Sequence, residues 1–186
     1  APELGTGSTG VRCANLPHLD VVIGMGRTVG AMIPFGEVGN RAAPEHHARR
    51  DEIAAMVQPD DATCIQFTSG TTGAPKGATL THFGILNNGS PAAGLLGVTS
   101  IHRVCVPVPL FHCFGMVVGV LGCVAHGATM VFPGEGFDRG EVLRAIQGER
   151  CSVLYGVPTM FIAQLTHPEF ATFDLTSMRA GAMGAA

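Results

Sequence analysis

The chain has 186 residues, 46% of them hydrophobic and only 13% charged, enough apolar material for a real core in one domain or most of one. A net charge of −3 with no basic stripe excludes a nucleic-acid binder, and the absence of like-charge blocks argues against a tail. The longest apolar run, Cys113 to Ala125, is shorter than the ~20 residues of a membrane span and holds three glycines, so no integral membrane segment is expected.

In chain order, a strand-like run from Leu19 to Ile23 precedes Gly/Pro-punctuated chain, and Pro44 to Val57 has helical spacing with proline near its start. Ala62 to Phe67 reads as a strand, followed by a Gly/Thr-rich loop and a short extended piece, Ala78 to Thr81. His82 to Leu96 starts as a helix that Asn87-Asn88-Gly89-Ser90-Pro91 should interrupt. Arg103 to Val108 is a strand and Phe111 to His126 an apolar helix; Ala128 to Phe132 is again a strand. Asp138 to Arg150 is amphipathic, with Asp138 as N-cap. Cys151 to Tyr155 is a strand, Pro158 to Leu165 a helix and Met178 to Met183 a final strand. Continuous apolar strands alternating with helices predict an α/β fold, its mostly parallel sheet flanked by helices on both faces.

Six cysteines without a C-x-x-C pair lie mostly among apolar neighbours and read as reduced core residues of a cytoplasmic protein. No signal peptide is visible at Ala1-Pro2-Glu3. The adjacent His46 and His47 fall in a polar stretch and read as a solvated helix face, so no metal site is assigned.

The informative segment is Phe67-Thr68-Ser69-Gly70-Thr71-Thr72-Gly73-Ala74-Pro75-Lys76-Gly77, which holds the only lysine of the chain. Four hydroxyls, three glycines, one compact ammonium and no acid make a phosphate cradle. Hydroxyls and backbone N–H groups donate to phosphate oxygens, and glycines let the backbone come close. A plain Gly/Thr-rich surface turn is the competing reading of such composition. The order is not that of a Walker P-loop, because Lys76 follows Pro75 and precedes Gly77.

From Ile65 to Lys76 the segment resembles the signature loop of the AMP-forming adenylating enzymes: acyl-CoA synthetases, luciferases and peptide-synthetase adenylation domains. The resemblance runs from about Leu16 to the end. It is nearest the medium-chain fatty acyl-CoA synthetase branch, in Ile65-Gln66-Phe67, His82-Phe83, Pro109-Leu110-Phe111-His112-Cys113-Phe114-Gly115 and Pro168-Glu169-Phe170. It implies a fatty acid–CoA ligase using ATP, Mg2+ and coenzyme A to activate a fatty acid or other carboxylic acid. Lys76 and Thr71 are implied as catalytic. Thr68, Ser69, Gly70, Thr72, Gly73, Ala74 and Pro75, with Gly184 and Ala185, are implied to bind nucleotide. Phe111, His112, Gly115 and Met116 are implied to face the acid, with Gly115 leaving room for it. Tyr155 and Gly156, which resemble a turn bordering the acyl site, read equally well as an ordinary turn.

The missing initiator methionine and the ending at Ala185-Ala186, where the family continues with further small residues and proline, suggest an excerpt. We expect residues 1–186 to be part of the large N-terminal domain, without the small C-terminal domain and inactive alone. Transfer of the acyl group to a carrier protein stands as one alternative. A non-catalytic fragment that binds nucleotide or a partner is another.

Overall fold

In the computed structural model, residues 16–68 and 73–184 are described. The chain forms two compact units, Ala1–Val57 and Gln58–Ala186. In the first, Ile23–Gly24 (β1) pairs parallel with Ile33–Pro34 (β2), and Pro44–Met56 (α1) follows. Strand pairing is thus confined to the end of the expected Leu19–Ile23 run. Helix α1 opens on Pro44, whose fixed φ suits the first turn. The His46 ring accepts the Ala43 N–H at 2.9 Å, and none of the helix is buried.

The second unit begins with a hairpin. Ala62–Thr68 (β3) pairs antiparallel with Lys76–Thr81 (β4), from Ala62↔Thr81 to Thr68↔Lys76. The second strand starts two residues earlier than expected, because pairing with β3 recruits Lys76 and Gly77. The two ends of the Gly/Thr-rich segment, Phe67–Thr68 and Lys76–Gly77, are therefore paired strand residues.

Thr81 then caps His82–Leu95 (α2), accepting the Gly84 N–H at 3.0 Å. The expected interruption does not occur, and α2 runs through Pro91. Gly89 and Ala93 are buried on the same face of α2, where tertiary packing outweighs the missing proline N–H. The facing element also departs from expectation. Phe114–Leu121 is a π-helix and only Gly122–His126 (α3) is α-helical, ended by Gly127 at φ 67°. A Cβ on Gly89 would lie 2.4 Å from the Val117 carbonyl oxygen, so the two backbones approach as closely as glycine permits.

Arg103–Cys105 (β5), Thr129–Val131 (β6), Val153–Gly156 (β7) and Ala180–Met183 (β8) form one parallel sheet in the order β6-β5-β7-β8. Arg139–Glu149 (α4) and Pro158–Leu165 (α5) connect its strands. Alternation along the strands builds two cores. Val104, Val106, Val153 and Tyr155 pack with Ala93 and Cys123, while Cys105 and Leu154 pack with Val142 and Ile146 of α4. The sheet is covered on both faces, as its apolar strands require.

Asp138 caps α4 as expected, accepting the Glu141 N–H at 2.8 Å, and this bond holds its carboxyl below the ordinary range. Among the described residues, no helix is long and apolar enough to cross a membrane.

Candidate nucleotide and acyl site

The hairpin sets the geometry of the phosphate-loop residues. Thr68 and Lys76 are cross-strand partners at the loop's mouth, and the Thr68 hydroxyl donates to the Lys76 carbonyl at 3.4 Å. Both side chains are exposed. Gly73 has φ +121°, a conformation that L side chains rarely adopt, and open space where a Cβ would be. Ala74 and Pro75 carry the chain from there into β4. The mouth therefore presents a cation and a hydroxyl to solvent beside an unobstructed backbone. Ser69, Gly70, Thr71, Thr72 and Ala185 lie outside the described residues.

The carboxyl ends of the sheet strands form the second part. The Gly184 N–H donates to the Gly156 carbonyl at 3.2 Å, joining the ends of β7 and β8. Phe114 completes this corner. Its ring lies 5.9 Å from that of Tyr155, and an added Cβ on Gly184 would stand 4.0 Å from its edge. The sequence reading passed over Phe114, whose signal was its place between His112 and Gly115. Tyr155 itself is fully buried, its hydroxyl without a hydrogen-bond partner among the described residues, and burial pushes its phenol up to about 12.

His112 is exposed, and its Nδ1 accepts the Phe114 N–H at 3.1 Å, which places the ring proton on Nε2 in the neutral form. Gly115 is buried where a Cβ would fall 2.3 Å from the Pro109 carbonyl oxygen, so the space beside it is filled by backbone. Met116 is half exposed. Phe111, 87% exposed, lines a cavity of about 480 Å3 with Leu110, Phe137 and Met160. Of the six residues implied for the acid, only Phe111 lines this cavity. Met160, which also lines it, packs on the core that holds Tyr155 and Phe114.

Two of the buried cysteines, Cys105 and Cys123, are poor nucleophiles, whereas the hydrogen bond with Cys105 pulls the Cys151 thiol down. Burial pushes Cys123 up to about 11, and Cys105 is raised further by its hydrogen bond with Cys151 and by burial. Among the described residues, no group of three or more His, Cys, Asp or Glu could share a metal ion.

A parallel four-stranded sheet covered by helices, with a separate hairpin whose second strand opens on Lys76, defines an α/β domain. The sequence matches the family described as AMP-binding enzyme over residues 15–186, and the chain belongs to that family. It is 42% identical over 184 residues to YngI of Bacillus subtilis, covering 98% of this chain and 33% of that protein. To the mitochondrial medium-chain acyl-CoA ligase ACSF2 of Danio rerio it is 39% identical over 183 residues, covering 97% and 30%. Among solved structures, the inhibitor-bound N-terminal domain of FACL13 from Mycobacterium tuberculosis superimposes with a TM-score of 0.60 at 30% identity, covering 68% of this chain and 31% of that one. ATP-bound MatB from Rhodopseudomonas palustris gives the same score and identity over 69% and 25%. The chain spans about a third of the length of these two curated relatives.

Proposed function

We propose that this chain is part of the large nucleotide-binding domain of a longer AMP-forming acyl-CoA synthetase, and that residues 1–186 are inactive alone. The acid's carboxylate oxygen attacks the α-phosphorus of ATP, supplied as its Mg2+ complex. The bond to the bridging oxygen breaks, pyrophosphate leaves with that electron pair, and an acyl-adenylate remains. The thiol of coenzyme A then attacks the acyl carbon; AMP departs and the thiol proton passes to solvent.

In the first step negative charge builds on the departing phosphates. Lys76, Thr68, Ser69, Thr71 and Thr72 donate to it, with no covalent role, so the assistance is electrostatic and preorganised. The observation carrying this reading is the hairpin, which fixes the only lysine of the chain opposite Thr68 across the loop mouth and leaves its head in solvent. Gly184 and Ala185 are assigned to the adenine side, and Phe111, His112, Met116, Tyr155 and Gly156 to the acid side. A medium-chain acid is the finer assignment, supported by the apolar side chains of Phe111 and Met116 and by the name of the ACSF2 relative. The free cysteines at 64, 105, 113, 123 and 151 support a reducing compartment, which we assign as the cytoplasm.

The test is product analysis with the full-length protein, ATP, coenzyme A and octanoate. AMP, pyrophosphate and octanoyl-CoA are expected in equal amounts. ADP in place of AMP overturns the reading; AMP release without acyl-CoA, restored by a carrier protein, assigns another acceptor.

A further inference from the structure

The hairpin that bears the phosphate loop has two faces. Strand alternation and the register put Gln66, Ala78 and Leu80 on one side, with Ile65, Phe67 and Thr79 on the other. The first side closes over α2 and the head of the π-helix, enclosing a cavity of about 330 Å3. Its hydrocarbon wall is Ala78, Leu80, Ile85 and Val117. Cys113, one residue beyond His112, also lines it. The cavity therefore connects the phosphate-loop hairpin with the segment assigned to the acid. Ligand sites commonly span about 300–1,000 Å3, so this one suits part of a substrate rather than a whole nucleotide.

Two amides interrupt the hydrocarbon wall. Gln66 projects from β3, half-buried, and Asn88 from α2, one turn after Gly84 and exposed at the mouth. Neither makes a side-chain hydrogen bond among the described residues, whereas the adjacent Asn87 donates to the Phe83 carbonyl at 2.9 Å. An unbranched alkyl chain filling this cavity would strip water from the half-buried Gln66 amide and cover the inner side of Asn88, returning nothing to either, which opposes binding. A chain bearing an oxygen satisfies them, because each amide offers both donors and an acceptor.

We propose that this cavity takes the chain end of the acid, and that the preferred acid carries a hydroxyl or keto oxygen on its chain, held by Gln66 and Asn88. The proposal rests on the acyl-CoA synthetase reading and names the substrate class of that site.

The test compares acid-dependent pyrophosphate exchange by the full-length protein with octanoate and with octanoates bearing a hydroxyl at C5, C7 or C8 or a keto oxygen at C5 or C7. At least one oxygenated acid is expected to exceed octanoate by about tenfold in kcat/KM, the scale of one hydrogen bond at a partly solvated site. Gln66→Met and Asn88→Leu should each shrink that ratio severalfold, while Asn88→Gln retains part of it. A measurement on the unmodified protein stands beside the variants. The preferred acid should protect Cys113 from iodoacetamide, read at its own peptide by mass spectrometry, at concentrations where octanoate does not. Exchange that favours octanoate over every oxygenated acid, a ratio unmoved by both variants, or equal protection by both acids overturns the oxygen assignment alone. No exchange with any carboxylic acid overturns the synthetase reading and this proposal with it.

Discussion

Lys76 is where β4 begins, held by its backbone opposite Thr68, so its stem is anchored while its ammonium is free to reach a phosphate. On the proposed reading its charge is needed while pyrophosphate leaves, and pyrophosphate has gone before the thiol attacks. Lys76→Ala in the full-length protein should therefore slow adenylate formation by about 10²–10³, the loss typical of one preorganised donor. Thiol transfer from a preformed acyl-adenylate should be little changed. Equal losses in the two half-reactions would show that the loop acts through folding or closure. Lys76 stands out in the sequence as a lone lysine among glycines and hydroxyls, but its place as the first residue of β4 does not. The side chains along the rest of the hairpin were not. Nothing in Gln66 or Leu80 marks them as facing a cavity until β4 fixes the register. The role of Gly115 was also hidden, since a missing Cβ looks the same whether a ligand or the Pro109 carbonyl fills the space.

Elements with local signals were readable. Proline at the first turn announced α1 and α5, and Asp138 announced α4, because caps and first turns are decided within a few residues. The continuity of α2 and the π-helix were not readable, because they depend on each other across a backbone contact. Gly89→Ala tests that dependence. Its Cβ would meet a carbonyl rather than a movable side chain, so a loss of about 1–3 kcal/mol is expected in urea unfolding. A neutral result would mean that α2 and the π-helix separate easily. The α4 cap gives a second test. The Asp138 carboxyl is held below its ordinary 3.8, first by the Glu141 N–H, so its contribution is present above that value and is lost as pH falls through the folded-state value. Asp138→Ala should lower Tm by about 2–4 °C at pH 7. The gap should narrow as the pH falls below 3.8, and a gap independent of pH would remove the carboxylate from the account.

At the scale of the whole molecule, apolar strands alternating with helices were enough to specify a parallel sheet covered on both sides, since strands buried on two faces leave no polar alternation. Strand order was not specified. That β5 lies between β6 and β7 follows from crossovers whose handedness and packing no local segment records. The sheet aligns Gly156, Gly184 and Phe114 at one corner, and the separate hairpin carries the lysine. The central claim is that this assembly activates a carboxylic acid as its adenylate before any thiol takes part. Exchange of labelled pyrophosphate into ATP by the full-length protein, without coenzyme A, isolates that step. Label should enter ATP only when a carboxylic acid is present, and in proportion to its occupancy of the site. Exchange that proceeds equally without acid, or acyl-CoA formation with no exchange at all, would contradict the account.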